Sequence, residues 1–235
     1  MIDFHSHILP NIDDGATSME ESLRLIKEAK QAGFTKIIST SHYIEEYYES
    51  DEKERKELLN ITNKNFQDIE LYLGNEIYLT NQMVQLLNDK KASTINNSRY
   101  VLFELPMNSK PLTAKETVYR LIENGYTPII AHPERYSYVQ ENPEYVEELW
   151  EMGALFQSNY GSVIGIYGKK AEKAVKKLLK EDLIHFLGSD VHRENQIYPK
   201  MPKIMKKLNK IISQKKIEEL TTINPQKVLD NQEIE

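Results

Sequence analysis

Met1-Ile-Asp-Phe-His5-Ser-His7-Ile-Leu-Pro-Asn-Ile-Asp13-Asp14-Gly15 opens the chain. Ile2, Phe4 and Ile8 mark a short strand, and successive strand side chains point to opposite faces, so His5 and His7 point the same way. Two imidazoles one pleat apart are half of a metal site. Asp13 and Asp14 follow in a Pro- and Gly-containing loop, where a barrel-like fold places further oxygen ligands at its mouth. Asp3 shares the parity of His5 and His7 and is expected either to orient an imidazole or to cap the strand start.

Outward from this strand, helical and extended patterns alternate. Thr17 or Ser18 followed by Glu20 and Glu21 reads as a helix start; Leu23, Leu25, Ile26, Ala29 and Ala32 repeat at helical spacing and Gly33 ends the run. Residues 36–41 form a second strand with His42 at its end. A polar helix is expected over residues 44–66, its charge run from Glu45 to Glu57 forming a solvated face, with Tyr43, Tyr47 and Tyr48 close behind His42. Further strands are read at 69–73, 101–103, 128–131, 154–159 and 183–187, running into Glu76, Glu104, His132, Asn159 and Asp190-Val-His192. Helices are read at 81–88, from a Thr113 cap to Asn124-Gly125, and at 143–152, 169–180, 201–213 and 225–229.

This alternation implies a parallel sheet with helical crossovers, and seven strand–helix units fit a closed or nearly closed α/β barrel. At 235 residues, the chain is expected to form one domain over residues 1–235. Functional groups collect at strand C-termini in such folds. Five of the six histidines fall there, with Glu76, Glu104 and Asp190, on six of the seven strands. Packing a neutral core does not require that coincidence; binding several cations at one mouth does. His185 lies near a strand start and is read as structural.

Composition narrows the chemistry. Without cysteine there is no thiolate nucleophile or ligand, so a metal must be held by His, Asp and Glu, which favours Mn, Fe or Zn. A net charge of -6 argues against a nucleic-acid partner. No run of 18 apolar residues spans a membrane, and the ligands begin too early for a removable signal, so a cytoplasmic location is expected. Several divalent ions in one site point to hydrolysis, and Arg135, a planar fork three residues after His132, points to a phosphoester or carboxylate substrate. The Lys-rich helices over 169–180 and 200–216 read as solvated outer helices.

Together, His5-Ser-His7-Ile-Leu-Pro with Ile12-Asp-Asp-Gly15, Thr40-Ser-His42, Gly74-Asn-Glu76, Phe103-Glu104, Ala131-His-Pro-Glu-Arg135 and Gly188-Ser-Asp-Val-His192 resemble the PHP (polymerase and histidinol phosphatase) superfamily. Within it they look most like the bacterial manganese-dependent protein-tyrosine phosphatases of the CpsB/CapC type, which serve capsule and exopolysaccharide systems. The resemblance implies a distorted seven-stranded (β/α)7 TIM-like barrel with three ions, Mn2+ foremost and Fe or Zn as alternatives. It assigns His5, His7, Glu76 and Asp190 to the first ion, Glu76, Glu104 and His132 to the second, and Asp14, His42 and His192 to the third. Arg135, Asp190 and Glu76 take the catalytic roles, with Arg135 on the phosphate. The implied partner is a phosphotyrosine-bearing bacterial tyrosine kinase with a tyrosine-rich tail. A second substrate arginine expected after the Asp-x-His pair has no direct counterpart in Arg193-Glu-Asn-Gln-Ile-Tyr-Pro-Lys200, leaving Arg193, Lys200 or a weaker grip. Histidinol phosphate hydrolysis and a non-catalytic metal-binding regulatory domain are the competing readings. An amidohydrolase is disfavoured, because strand four ends in Glu104 and strand six in Gln157-Ser-Asn159.

Overall fold

A computed structural model describes residues 1–234. Its strands are β1 (Ile2–Ser6), β2 (Lys36–Ser39), β3 (His42–Tyr43), β4 (Glu70–Leu73), β5 (Glu76–Tyr78), β6 (Tyr100–Glu104), β7 (Thr127–Ala131), β8 (Leu155–Asn159) and β9 (Phe186–Gly188). They pair in parallel as a three-stranded sheet, β1-β2-β4, and a six-stranded sheet, β3-β5-β6-β7-β8-β9. Helical segments cross between most of these strands, so the chain has the α/β architecture expected of it. The backbone beyond β9 returns to β1 through a parallel bridge between Ser6 and Val191, with Asp190 N donating to His5 O at 2.8 Å.

The strand expected over 36–41 stops at Ser39 and resumes as β3, and past the strand expected over 69–73 a further short strand, β5, follows. Glu76 N donates to both Thr40 O and Ser41 O, while the Asn75 side-chain amide takes Ser41 O at 2.8 Å. The ladder therefore passes through an irregular step, as at a bulge, and β3 and β5 leave the direction of β2 and β4. This step turns His42 and Glu76 toward each other.

Both faces of the sheets are covered, as parallel strands require. On β6, Val101 and Phe103 join one apolar cluster and Leu102 another; on β2, Ile37 and Ile38 divide in the same way. Phe4 and Phe186 stack with centroids 4.1 Å apart and join β1 to β9.

The helix Met19–Gln31 starts as read: Ser18 Oγ accepts from Glu21 N at 3.1 Å, and the Glu21 carboxylate reaches back to Thr17 N. The helix Lys169–Lys180 falls on its expected residues. The expected helix over 44–66 shrinks to Glu52–Asn63, because a left-handed Glu46 closes a turn from Ile44 to Tyr48 and Asp51 then caps Glu54 N. Similarly, the helix starting at Met201 stops at Leu208 rather than running to 213. No described helix is long and apolar enough to cross a membrane.

His185 lies outside the ligand cluster, and its Nδ1 accepts from Phe156 N at 3.1 Å. Burial, with Lys216 beside it, pushes its pKa down to about 4. The unfolded ring binds a proton near pH 6.5 that the folded ring refuses, so stability falls as pH drops from 6.5 toward 4. The contribution is about 3 kcal/mol over that window. Acid unfolding followed by circular dichroism should show this slope in the native chain and lose one proton of it in His185→Gln; equal slopes would exclude the assignment.

Candidate metal centre

β1 presents His5, and His7 follows one residue past its end, with their Nε2 atoms 3.1 Å apart. Glu76 Oε2 lies 3.1 Å from the first and 3.3 Å from the second. Asp190 Oδ1 lies 3.6 and 3.4 Å from the same two atoms. Such spacings are the edges of a tetrahedron whose centre is about 2 Å from each corner, the bond length of a divalent ion to N and O ligands. All four residues are buried. Close backbone approach makes the cluster possible: a Cβ on Gly188 would meet His5 N at 2.9 Å, and one on Gly15 would meet His7 O at 2.2 Å.

Two further groups adjoin the first. His42 Nδ1 stands 3.2 Å from Glu76 Oε2 and 3.5 Å from Glu104 Oε1, while its Nε2 is 3.6 Å from Asp14 Oδ1. His192 Nε2 is 3.3 Å from that same Asp14 oxygen. His132 Nε2 is 2.8 Å from Glu76 Oε1 and 3.8 Å from Glu104 Oε2. The donor sets that close within metal-binding distance are thus His5-His7-Glu76-Asp190, His7-Asp14-His42-His192 and His42-Glu76-Glu104. The structure gathers every candidate ligand, with Glu76 at the junction, and places His42 where the second and third groups meet.

The electrostatics fit a cation. Burial, compounded by Glu76 and Asp190, raises the Glu104 carboxyl to about 9, a carboxylate crowded by others of its kind. Burial pushes His42 down to about 4, keeping the ring neutral and free to donate a lone pair. The buried Nδ1 atoms of His42 and His132 have no hydrogen-bond partner. Backbone strain adds to the picture: His132 and Asp190 sit at φ 33° and 51°, a region L-residues avoid unless the surroundings impose it.

Several supporting residues were not legible as such. Asp13, in the loop read as a source of oxygen ligands, accepts from His7 Nδ1 at 2.7 Å and from the backbone of Gly15 and His42, which fixes the imidazole and the loop. Gln157 Oε1 accepts from His5 Nδ1 at 2.7 Å, and Asn159 Nδ2 donates to Asp190 Oδ2 at 2.7 Å. The polar strand end Gln157-Ser-Asn159 was the available signal. Glu134 is buried and accepts from Ser158, Ser162 and Asn159 N, bracing the turn that carries Arg135. Asp3 does not reach an imidazole: it accepts from Ser189 N and the Tyr198 hydroxyl, both at 2.7 Å. The register of β1 on β2 shifts between Asp3 and Ser6, so strand parity does not carry from Asp3 to His5.

An open cavity of about 410 Å3 lies over the cluster, lined by Asp14, Arg135, Tyr167, Asp190, His192, Arg193 and Gln196. Arg135 Nη1 donates to Asp190 Oδ2 at 2.6 Å, and its guanidinium lies 4.6 Å over the Tyr167 ring. Arg193 reaches the same rim but spends Nη1 on the carbonyls of Asp14, Gly15 and His192. Lys200 is turned away, onto the carbonyls of Asn195 and Gln196.

Fold and site together define an α/β protein with adjoining His/Asp/Glu clusters of metal-binding geometry at the C-terminal ends of parallel strands. The chain belongs to the CpsB/CapC family of capsular polysaccharide synthesis, whose sequence profile matches residues 1–230. It is 34% identical over 241 residues to the tyrosine-protein phosphatase CpsB of Streptococcus pneumoniae, covering 99% of each chain. It is 36% identical over 196 residues to the tyrosine-protein phosphatase YwqE of Bacillus subtilis, covering 82% of this chain and 77% of the relative. Among solved structures it superposes with TM-score 0.93 and 32% identity on one from the study of YwqE and S. pneumoniae CpsB, described as metal-dependent tyrosine phosphatases, covering 100% of this chain and 96% of that one.

Proposed function

We propose that this chain is a metal-dependent protein-tyrosine phosphatase that removes phosphate from a bacterial tyrosine kinase controlling capsular or exopolysaccharide synthesis. The observation that carries the reading is the set of three adjoining His/carboxylate donor groups, two of which share Glu76, beneath a rim arginine tied to Asp190. Membership of the family and the likeness to tyrosine phosphatases over the whole chain support it. Residues 1–235 act as one domain, and the two sheets, joined by the Ser6–Val191 bridge, form one distorted seven-stranded barrel.

His5, His7, Glu76 and Asp190 hold one ion; Glu76 and Glu104 hold a second with His132; Asp14, His42 and His192 hold a third. An all-nitrogen-and-oxygen donor set suits Mn2+, with Fe or Zn as substitutes. When bound, such ions supply an acidified water and positive charge for the phosphoryl oxygens. Arg135 grips the phosphate through its fork, while Glu134 and Tyr167 hold it in place. Arg193, not Lys200, is the second rim cation facing the phosphate. Enzyme and kinase meet in the cytoplasm.

Phosphate release by manganese-reconstituted protein should be much faster from a phosphotyrosine peptide than from histidinol phosphate, and chelation should remove it. Preference for histidinol phosphate would keep the metals but reject the protein substrate, and full metal occupancy with no turnover on any phosphoester would leave a regulatory domain.

A further inference from the structure

We infer that Gln157 and Asn159 form a directional amide relay that positions two ligands of the first metal group at once, fixing the tautomer of His5 and the aim of Asp190. The relay runs His5 Nδ1–H to Gln157 Oε1 at 2.7 Å, Gln157 Nε2 to Asn159 Oδ1 at 3.0 Å, and Asn159 Nδ2 to Asp190 Oδ2 at 2.7 Å. Gln157 and Asn159 are two apart on β8 and share a face, and both are fully buried.

Its polarity follows from the carboxylate. Asp190 can only accept, so the Asn159 amide must turn its NH2 toward it and its oxygen toward Gln157. Gln157 must then turn its NH2 to Asn159 and its oxygen to His5. A carbonyl oxygen facing Nδ1 requires the proton on Nδ1, which leaves the Nε2 lone pair facing Glu76, Asp190 and His7. At the far end, Asn159 and Arg135 both bond Oδ2, so Oδ1 is the oxygen turned toward Nε2 of His5 and of His7. Reversing either amide would set oxygen against oxygen in a dry site, which is strongly unfavourable. There is no room to slide, since a Cβ on Gly188 would meet His5 Cβ at 2.5 Å and Gln157 Nε2 at 3.0 Å.

The two metal-facing histidines, His5 on β1 and His7 just past it, are thus held differently, His7 by the Asp13 carboxylate and His5 by a neutral amide. This contrast supplies an internal control. The inference concerns the metal ligands of the site proposed above, and its readouts do not depend on which phosphoester is hydrolysed.

The test uses the full chain loaded with diamagnetic Zn2+, with nitrogen-15 histidine spectra reporting how slowly each Nδ1 proton exchanges with water, together with zinc titration. Gln157→Leu should expose the His5 Nδ1 proton to exchange, leave that of His7 protected, and weaken the affected zinc site about 10- to 100-fold. Gln157→Glu keeps an acceptor on His5 and should restore protection of its proton, while its second oxygen, set against Asn159 Oδ1, breaks the link to Asp190 and leaves zinc binding weakened. Asn159→Ala should leave that proton protected while still weakening zinc binding through Asp190. Unchanged His5 exchange together with zinc affinity within twofold in Gln157→Leu overturns the relay. Should Gln157→Leu not fold, an unprotected His5 in Gln157→Glu or wild-type zinc affinity in Asn159→Ala overturns it instead.

Discussion

Asp190→Ala is expected to abolish turnover and to lower the number of divalent ions bound per chain. Asp190 Oδ1 closes the first donor group at 3.4 Å from His7 Nε2 and 3.6 Å from His5 Nε2. Its other oxygen is the shared acceptor of Asn159 Nδ2 and Arg135 Nη1. Truncation therefore removes a ligand, leaves a buried amide unpaired and frees the rim guanidinium from its anchor. The carboxyl is held well below the usual carboxylate range by His5, His7 and Arg135 against the cost of burial, so the ionised form belongs to the folded site. A fall of at least about three orders of magnitude in kcat, some 4 kcal/mol, is expected. Elemental analysis should find fewer ions per chain than in the parent. Retention of full metal content, or activity within tenfold of the parent, would remove Asp190 from the centre. Asp190→Asn separates the parts: it keeps the shape and loses the charge, so it should also lose activity while folding normally.

The residues that the structure gathers into the cluster were legible because each belongs to a local rule. Strand parity set His5 beside His7, and the end-of-strand position singled out His42, Glu76, Glu104, His132 and Asp190 before any contact was known. The helix Lys169–Lys180 was legible to the residue, since its apolar positions repeat without interruption and a glycine precedes it.

What stayed hidden depends on contacts between segments far apart in the chain. The breaks at Thr40–Ser41, between β2 and β3, and at Gly74–Asn75, between β4 and β5, follow from Asn75 bonding Ser41 O across 34 residues, which no local pattern encodes. Strand and loop position alone do not separate Asp13 from Asp14; the contacts do, His7 Nδ1 meeting the first, and His42 and His192 the second. Gln157 and Asn159 lie 152 and 31 residues from the ligands they orient, and amides carry no signature of that duty in the sequence. Asp3 failed for the opposite reason: a local parity rule was applied across a register shift that the rule cannot see.

Arg135→Ala should keep its metals and lose its grip on phosphate. The side chain is about a quarter exposed at the rim, where a phosphoryl group arriving over the cluster meets it first. Its anchors are independent of the metal donors: Tyr167 supports one face of the guanidinium at 4.6 Å, and the Asp190 bond uses Oδ2 rather than the oxygen directed at the histidines. Truncation leaves Asn159 still holding Oδ2, so Oδ1 keeps its aim and the ion count stays that of the parent. A bidentate charge-assisted pair that strengthens as charge builds on the phosphoryl oxygens is worth about 3 to 4 kcal/mol. The fall expected in kcat/KM is accordingly about 100- to 1,000-fold, much of it in KM, with inhibition by inorganic phosphate weakened in parallel. Arg135→Lys retains the charge but not the planar fork and should recover only part of the loss. Arg193→Ala tests the other rim cation. Because its Nη1 is already committed to three backbone carbonyls, its removal should cost less than the loss of Arg135 and act chiefly by loosening the loop from Asp14 to Gly15. Parent-like kinetics in Arg135→Ala, or a loss of ions equal to that in Asp190→Ala, would show that Arg135 supports the metal centre rather than the substrate.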